Sequence, residues 1–170
     1  AESRAGGHAH TVEHGGLGLD TGFLVHNELN YPSLTRLFRE LGVETRETVM
    51  SFSASCGCGL EWSSRRPWTA GPRLLREILR FLRTAGEAAT EGKTFERFLG
   101  DEGYSDGFRW HYLVPMTAAL WSSAPGDALE IPAAYGIEFF RNHGMLGLRR
   151  HRWRTVTGGS RRYVEAALAP

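Results

Sequence analysis

Three histidines, His8, His10 and His14, crowd the start of the chain. His-x-His on a strand puts both rings on one face, and His14 could return across a turn as a third imidazole ligand for a metal. No Asp or Glu is placed to complete that set, and His26 stands apart from it. Polar loop histidines beside a ligand are the plain alternative. Cys56 and Cys58 occur in the run Ser55-Cys56-Gly57-Cys58-Gly59. A single intervening residue strains a mutual disulfide, and two thiols alone do not complete a four-ligand zinc site. Reduced cysteines in a β-turn are the expectation.

Phosphate chemistry would need a glycine loop in the right setting. Gly16-Leu17-Gly18 fails the G-x-G-x-x-G pattern, because Thr21 holds the third position and no helical pattern follows. There is no Walker loop and no G-x-S-x-G elbow. Ser160, after Gly158-Gly159, has no base near it in sequence and reads as a helix N-cap.

The basic residues number 20 against 19 acidic ones, a net charge of +1, which excludes a strong whole-molecule field for nucleic acid. The single lysine is Lys93, and every other cation is arginine. Arg149, Arg150, Arg152, Arg154, Arg161 and Arg162 gather near the C-terminus. They suit phosphate, carboxylate or acidic lipid, or form a solvated surface. No run approaches the roughly 18 apolar residues of a membrane span. The first ten residues lack the apolar core of a signal peptide, so a cytoplasmic protein is expected.

The elements that must position these groups are legible in part. Thr11-Val12 and Leu17-Leu19 suggest two short strands around the Gly15-Gly16 turn. Pro32 opens a helix through Leu34, Leu37, Phe38 and Leu41 that Gly42 closes. Met50–Ala54 and Leu60–Ser63 alternate around the cysteine turn and predict a hairpin. Residues 72–85 predict a helix with an apolar stripe of Leu75, Ile78, Leu79 and Leu82. Its neighbouring stripe, Arg73, Arg76, Arg80 and Arg83, could lie on an anionic membrane surface or simply face water. Thr94 N-caps a short helix, and Pro115 should kink or split the apolar stretch over 104–121. Pro132 opens another helix that ends near His143, residues 153–156 form a strand, and 161–168 form a last helix. The order predicts an α+β protein: a mainly helical insertion, with a small hairpin, between two pieces of a separate layer.

Arg4-Ala5-Gly6-Gly7-His8-Ala9-His10-Thr11 resembles the R-x-G-G-[RH]-x-x-T segment of the flavin amine oxidase and phytoene desaturase superfamily. Asp20-Thr21-Gly22-Phe23 resembles its D-x-G block. Asn30-Tyr31-Pro32, Leu41-Gly42-Val43, Met50–Ser53, Tyr112–Ser122, Asn142–Gly144 and Trp153–Ser160 continue the series in order. The likeness is to a bacterial subgroup described as NAD/FAD-binding or amine-oxidase-like proteins.

That resemblance implies FAD as cofactor. Arg4, Gly6, Gly7 and His8 would lie along its ribose and pyrophosphate, and Thr21, Gly22 and Phe23 near the isoalloxazine ring. The family often has Arg where His8 stands. Phe52, Met116, Trp121 and His143 would belong to the substrate domain and could line an apolar cavity, or serve as ordinary core. The implied layout is a partial Rossmann-like FAD-binding domain over 1–48, a substrate domain over 49–148, and a return to the FAD domain over 149–170. The family's G-x-G-x-x-G would fall before Ala1 and its last flavin-binding segment beyond Pro170, so an internal fragment, inactive alone, is expected. The implied reaction is hydride transfer from an apolar, lipid-like or amine substrate to flavin. The competing reading is a stand-alone helical module that binds lipid or a partner without catalysis, and a metal protein built on His8, His10 and His14 is a third.

Overall fold

In a computed structural model of the protein, residues 4–147 and 151–169 are described. Arg149 and Arg150 of the C-terminal arginine stretch lie outside them. The chain divides into two units, Ala1–Met50 with His151–Pro170, and Ser51–Arg150.

In the first unit, Gly15 and Gly16 take φ of +58° and +78°. Two successive positive φ values make the tight reversal that the flanking strands need. Strands β1 (Thr11–His14) and β2 (Leu17–Asp20) therefore pair antiparallel, with His14 opposite Leu17. Helix α1 (Pro32–Glu40) begins at its proline and buries Thr35 and Phe38. It stops at Gly42, whose φ of +67° lets the Val43 N–H return to the Phe38 carbonyl at 2.8 Å. Strand β3 (Thr45–Thr48) pairs antiparallel with the late strand β6 (Trp153–Val156). The other edge of β6 exchanges backbone bonds with His26, at 2.9 Å and 2.8 Å. Helix α8 (Arg161–Leu168) follows, and Tyr163 from it meets the Phe38 ring at 5.2 Å.

In the second unit, β4 (Ser53–Ser55) and β5 (Glu61–Ser63) form the hairpin around the cysteine turn. Helix α2 (Gly71–Thr84) follows, then α3 (Phe95–Asp101), N-capped by the Thr94 hydroxyl, which accepts the Arg97 N–H at 3.3 Å. Pro115 has no N–H to give a helix. The backbone answers with a π turn over Arg109–Leu113, which divides the stretch into α4 (Asp106–Phe108) and α5 (Val114–Trp121). Helices α6 (Pro125–Glu130) and α7 (Ala133–Asn142) complete the unit. Phe81 is its fully buried hub, with Tyr104, Phe108, Tyr112 and Phe140 around it at 5.4–6.1 Å.

The architecture is α+β, with small antiparallel sheets and a mainly helical second unit. Every strand pair among the described residues is antiparallel. One expectation needs correction. The inward stripe of α2 is Leu74, Ile78 and Phe81, continuing to Ala85, whereas Leu79 is exposed. Apolar residues cover two adjacent columns of this helix, and the column carrying Phe81 wins because its ring fills the centre of the unit.

Candidate functional site

The turn that begins at Arg4 depends on its glycines. Gly6 and Gly7 have φ of +107° and +55°, which side chains rarely adopt. Space also decides at Gly6: a Cβ there would sit 2.8 Å from the Ala9 carbonyl oxygen and 3.0 Å from Val164 Cγ2. At Gly7 a Cβ would meet nothing within 4 Å. Arg4 holds this turn, donating to the carbonyls of Gly7 at 2.8 Å, Ala9 at 3.0 Å and Ala5 at 3.2 Å. His8 is exposed.

The segment after β2 lies against this turn. The Thr21 N–H donates to the His10 carbonyl at 2.8 Å, and the Phe23 N–H to the His8 carbonyl at 3.0 Å. Gly22 is the point of closest approach, where any Cβ would overlap the His8 carbonyl oxygen. Phe23 turns its ring to Tyr163, edge on, at 6.0 Å. Thus Arg4, Gly6, Gly7, His8, Thr21, Gly22 and Phe23 all come to one rim of the first unit.

Asp20 anchors that rim, a role the sequence does not announce. Its two carboxylate oxygens accept the Ser160 N–H at 2.9 Å and 3.0 Å. Asp20 also accepts the Ser160 hydroxyl at 2.9 Å and the Thr11 hydroxyl at 2.5 Å. The Thr11 oxygen in turn accepts the Arg161 N–H at 3.1 Å. The expected cap is therefore corrected: Ser160 occupies the N-cap position, but its side chain makes no cap bond to α8. The carboxylate of Asp20, at the end of β2, does that work, because the helix N-terminus favours negative charge. Beside it, Tyr163 is held above the ordinary phenol range by burial and by the charge of Asp20.

Below the rim, His26 and Asn27 are buried, and His26 Nδ1 and Asn27 Nδ2 have no hydrogen-bond partner. A cavity of about 260 Å³ is lined by His26, Thr35, Phe38, Thr45 and Arg154 among others. Burial and the neighbouring Arg154 guanidinium hold His26 below the ordinary imidazole range, with Glu28 opposing weakly. The imidazole is therefore neutral near pH 7.

The structure does not gather the N-terminal histidines into a ligand set. His8 lies in the glycine turn ahead of β1 rather than on a strand, and His10 Nδ1 is engaged with the Thr21 hydroxyl at 3.2 Å. His8, His10 and His14 do not bring three ligand atoms together.

The residues expected to face substrate lie in the second unit. Trp121 and His143 meet on Phe139, with ring centroids at 4.8 Å and 3.8 Å from it. His143 donates through Nδ1 to the Phe139 carbonyl at 2.9 Å, because a carbonyl can only accept. Phe52 packs on Trp62 at 5.6 Å, and Met116 is buried in the core. A separate open groove of about 510 Å³ runs along the outer face of α2, lined by Leu75, Leu79, Arg76, Arg80 and Arg83 among others. No helix among the described residues is long and apolar enough to cross a membrane.

The rim has features suited to a phosphate-bearing group. It offers backbone without side chains at Gly7, in a conformation fixed by Arg4, with open space above it. The family model for flavin containing amine oxidoreductase matches residues 1–130, which include the whole rim together with Phe52, Met116 and Trp121. No curated protein matches the chain.

Proposed function

The chain belongs to the flavin-containing amine oxidoreductase family, and from that premise we propose that its glycine rim forms part of an FAD cradle in an oxidoreductase. The family implies a flavin, typically FAD, and bound FAD would supply the hydride acceptor. In this reading the backbone at Gly6 and Gly7 approaches the pyrophosphate, where a side chain would intrude. Arg4 contributes by fixing the turn, and His8 stands at its outer edge beside the ribose and phosphates. Thr21, Gly22 and Phe23 continue the rim toward the flavin ring. The first unit is then part of an FAD-binding domain and the second unit the substrate-binding domain.

The observation that carries the reading is the open space over Gly7 in a turn that Arg4 ties together through the carbonyls of Gly7 and Ala9. The substrate is apolar, lipid-like or an amine, in keeping with the aromatic set of Trp121, Phe139 and His143, with Phe52 and Met116 as further apolar contacts. Anaerobic mixing of the flavin-loaded protein, purified from its complete reading frame, with a long-chain amine and with a polyene hydrocarbon tests it. Loss of the oxidised-flavin absorbance with one of them supports the reading, and no bleaching with either class defeats it.

One observation favours a second reading, a helical module that binds lipid without catalysis. Leu79 is exposed between Arg76, Arg80 and Arg83 along the α2 groove, and Arg73 extends the basic face. Sedimentation with anionic vesicles, lost when Arg76, Arg80 and Arg83 become alanine, would support it. Failure of the parent chain to bind vesicles removes it.

A further inference from the structure

The two cysteines have a neighbour far along the chain. The turn between β4 and β5 is tight: the Cys56 N–H donates to the Leu60 carbonyl and the Gly59 N–H to the Cys56 carbonyl, both at 2.9 Å. The Cys58 N–H points at Cys56 Sγ at 3.2 Å, which turns both sulfurs to one side. There they meet His111, whose Nε2 lies 4.0 Å from Cys58 Sγ across a separation of 53 residues. The ligand atoms of Cys56, Cys58 and His111 all lie within 4.8 Å of one another.

We propose that Cys56, Cys58 and His111 bind a zinc-class divalent cation, with water as the fourth ligand. Bond lengths of about 2.3 Å to sulfur and 2.0–2.1 Å to nitrogen put tetrahedral ligand pairs about 3.5–3.8 Å apart. Side-chain rotation closes the remaining gap. Two sulfurs and one imidazole suit zinc and exclude the oxygen-seeking magnesium and calcium. Both thiols are free. Cys58 is exposed, which leaves room for water.

The scaffold is fixed independently of any ion. His111 sits in the π turn, a local irregularity that often marks functional positions. The Trp62 indole N–H of β5 donates to the His111 carbonyl at 2.8 Å, and the Trp62 ring stacks on Tyr112 at 5.8 Å. The hairpin and the π turn are thereby held together, and the ion would tie them a second time.

The test uses the reduced full chain, titrated with zinc against a competing chelator and separately with cobalt. One ion per chain is expected, with thiolate-to-cobalt charge-transfer absorption in the near ultraviolet and the strong visible bands of a four-coordinate ion. Cys56→Ser, Cys58→Ser and His111→Ala should each weaken zinc binding by more than about 100-fold, beyond the loss typical of outer-shell partners. Equal affinity in the Cys56→Ser/Cys58→Ser double variant would overturn the proposal, as would failure of the parent chain to bind zinc at micromolar concentration. X-ray absorption of the zinc-loaded parent covers the case of a misfolded variant. Two sulfur scatterers support the site, and oxygen and nitrogen alone sink it.

Discussion

Removing the Asp20 carboxylate should loosen the first unit at its rim. Asp20 accepts four hydrogen bonds, two from the Ser160 N–H and one each from the hydroxyls of Ser160 and Thr11. Ser160 is fully buried, so alanine at position 20 leaves its N–H and hydroxyl without that partner and without water. Hydrogen bonds to a charged acceptor contribute about 1.5–3 kcal/mol each, and the favourable charge at the α8 N-terminus adds about 0.3–1 kcal/mol. These terms share atoms and do not add, so we expect Asp20→Ala to cost about 3 kcal/mol. Asp20→Asn keeps one oxygen and the shape, and should cost about half as much. Urea unfolding gives the global number. Hydrogen exchange at the amides of α8 gives the local one, with protection falling about 100-fold for the alanine variant. A loss below about 0.5 kcal/mol, the range of an ordinary surface change, would refute the claim that Asp20 caps this helix.

Four further predictions follow from the same geometry. Gly22→Ala should destabilise the first unit by more than about 2 kcal/mol, since its Cβ overlaps the His8 carbonyl oxygen; Gly7→Asn should cost at most about 1 kcal/mol, because asparagine visits positive φ more readily than other side chains and the space is open. His26, held below its unfolded value, stays neutral in the fold while the unfolded chain takes up protons. Its contribution is therefore complete above about pH 6.5 and is lost as pH falls through the lower folded value; His26→Phe should flatten that part of the stability–pH profile, and an unchanged profile would contradict the assignment. In the second unit, Gly136→Ala should lower the melting temperature by several degrees, because the new methyl would overlap the Phe95 ring.

Local signals carried most of the element positions. Gly15-Gly16 announced its hairpin, Pro32 and Gly42 bracketed α1, and Pro115 foretold a break, because each acts through its own backbone. The rim was legible only through family resemblance, since its glycines satisfy no phosphate-loop pattern by themselves. What stayed hidden depends on residues distant in sequence. Asp20 meets Ser160 across 140 positions, so Ser160 looked like its own cap. His111 comes near Cys58 from a π turn across 53 positions, which spacing cannot announce. On α2, six apolar residues span a wide arc, and periodicity could not choose between Leu79 and Phe81 for the core.

An Arg4–His8 turn that faces FAD is read from the flavin content of the protein. The protein purified from its complete reading frame should carry one FAD per chain. The Gly7→Asn variant, still folded at the assay temperature, should hold at least about tenfold less under matched conditions, equivalent to about 1.4 kcal/mol of lost binding. Equal flavin in both proteins, or none in the parent after reconstitution, would contradict the account.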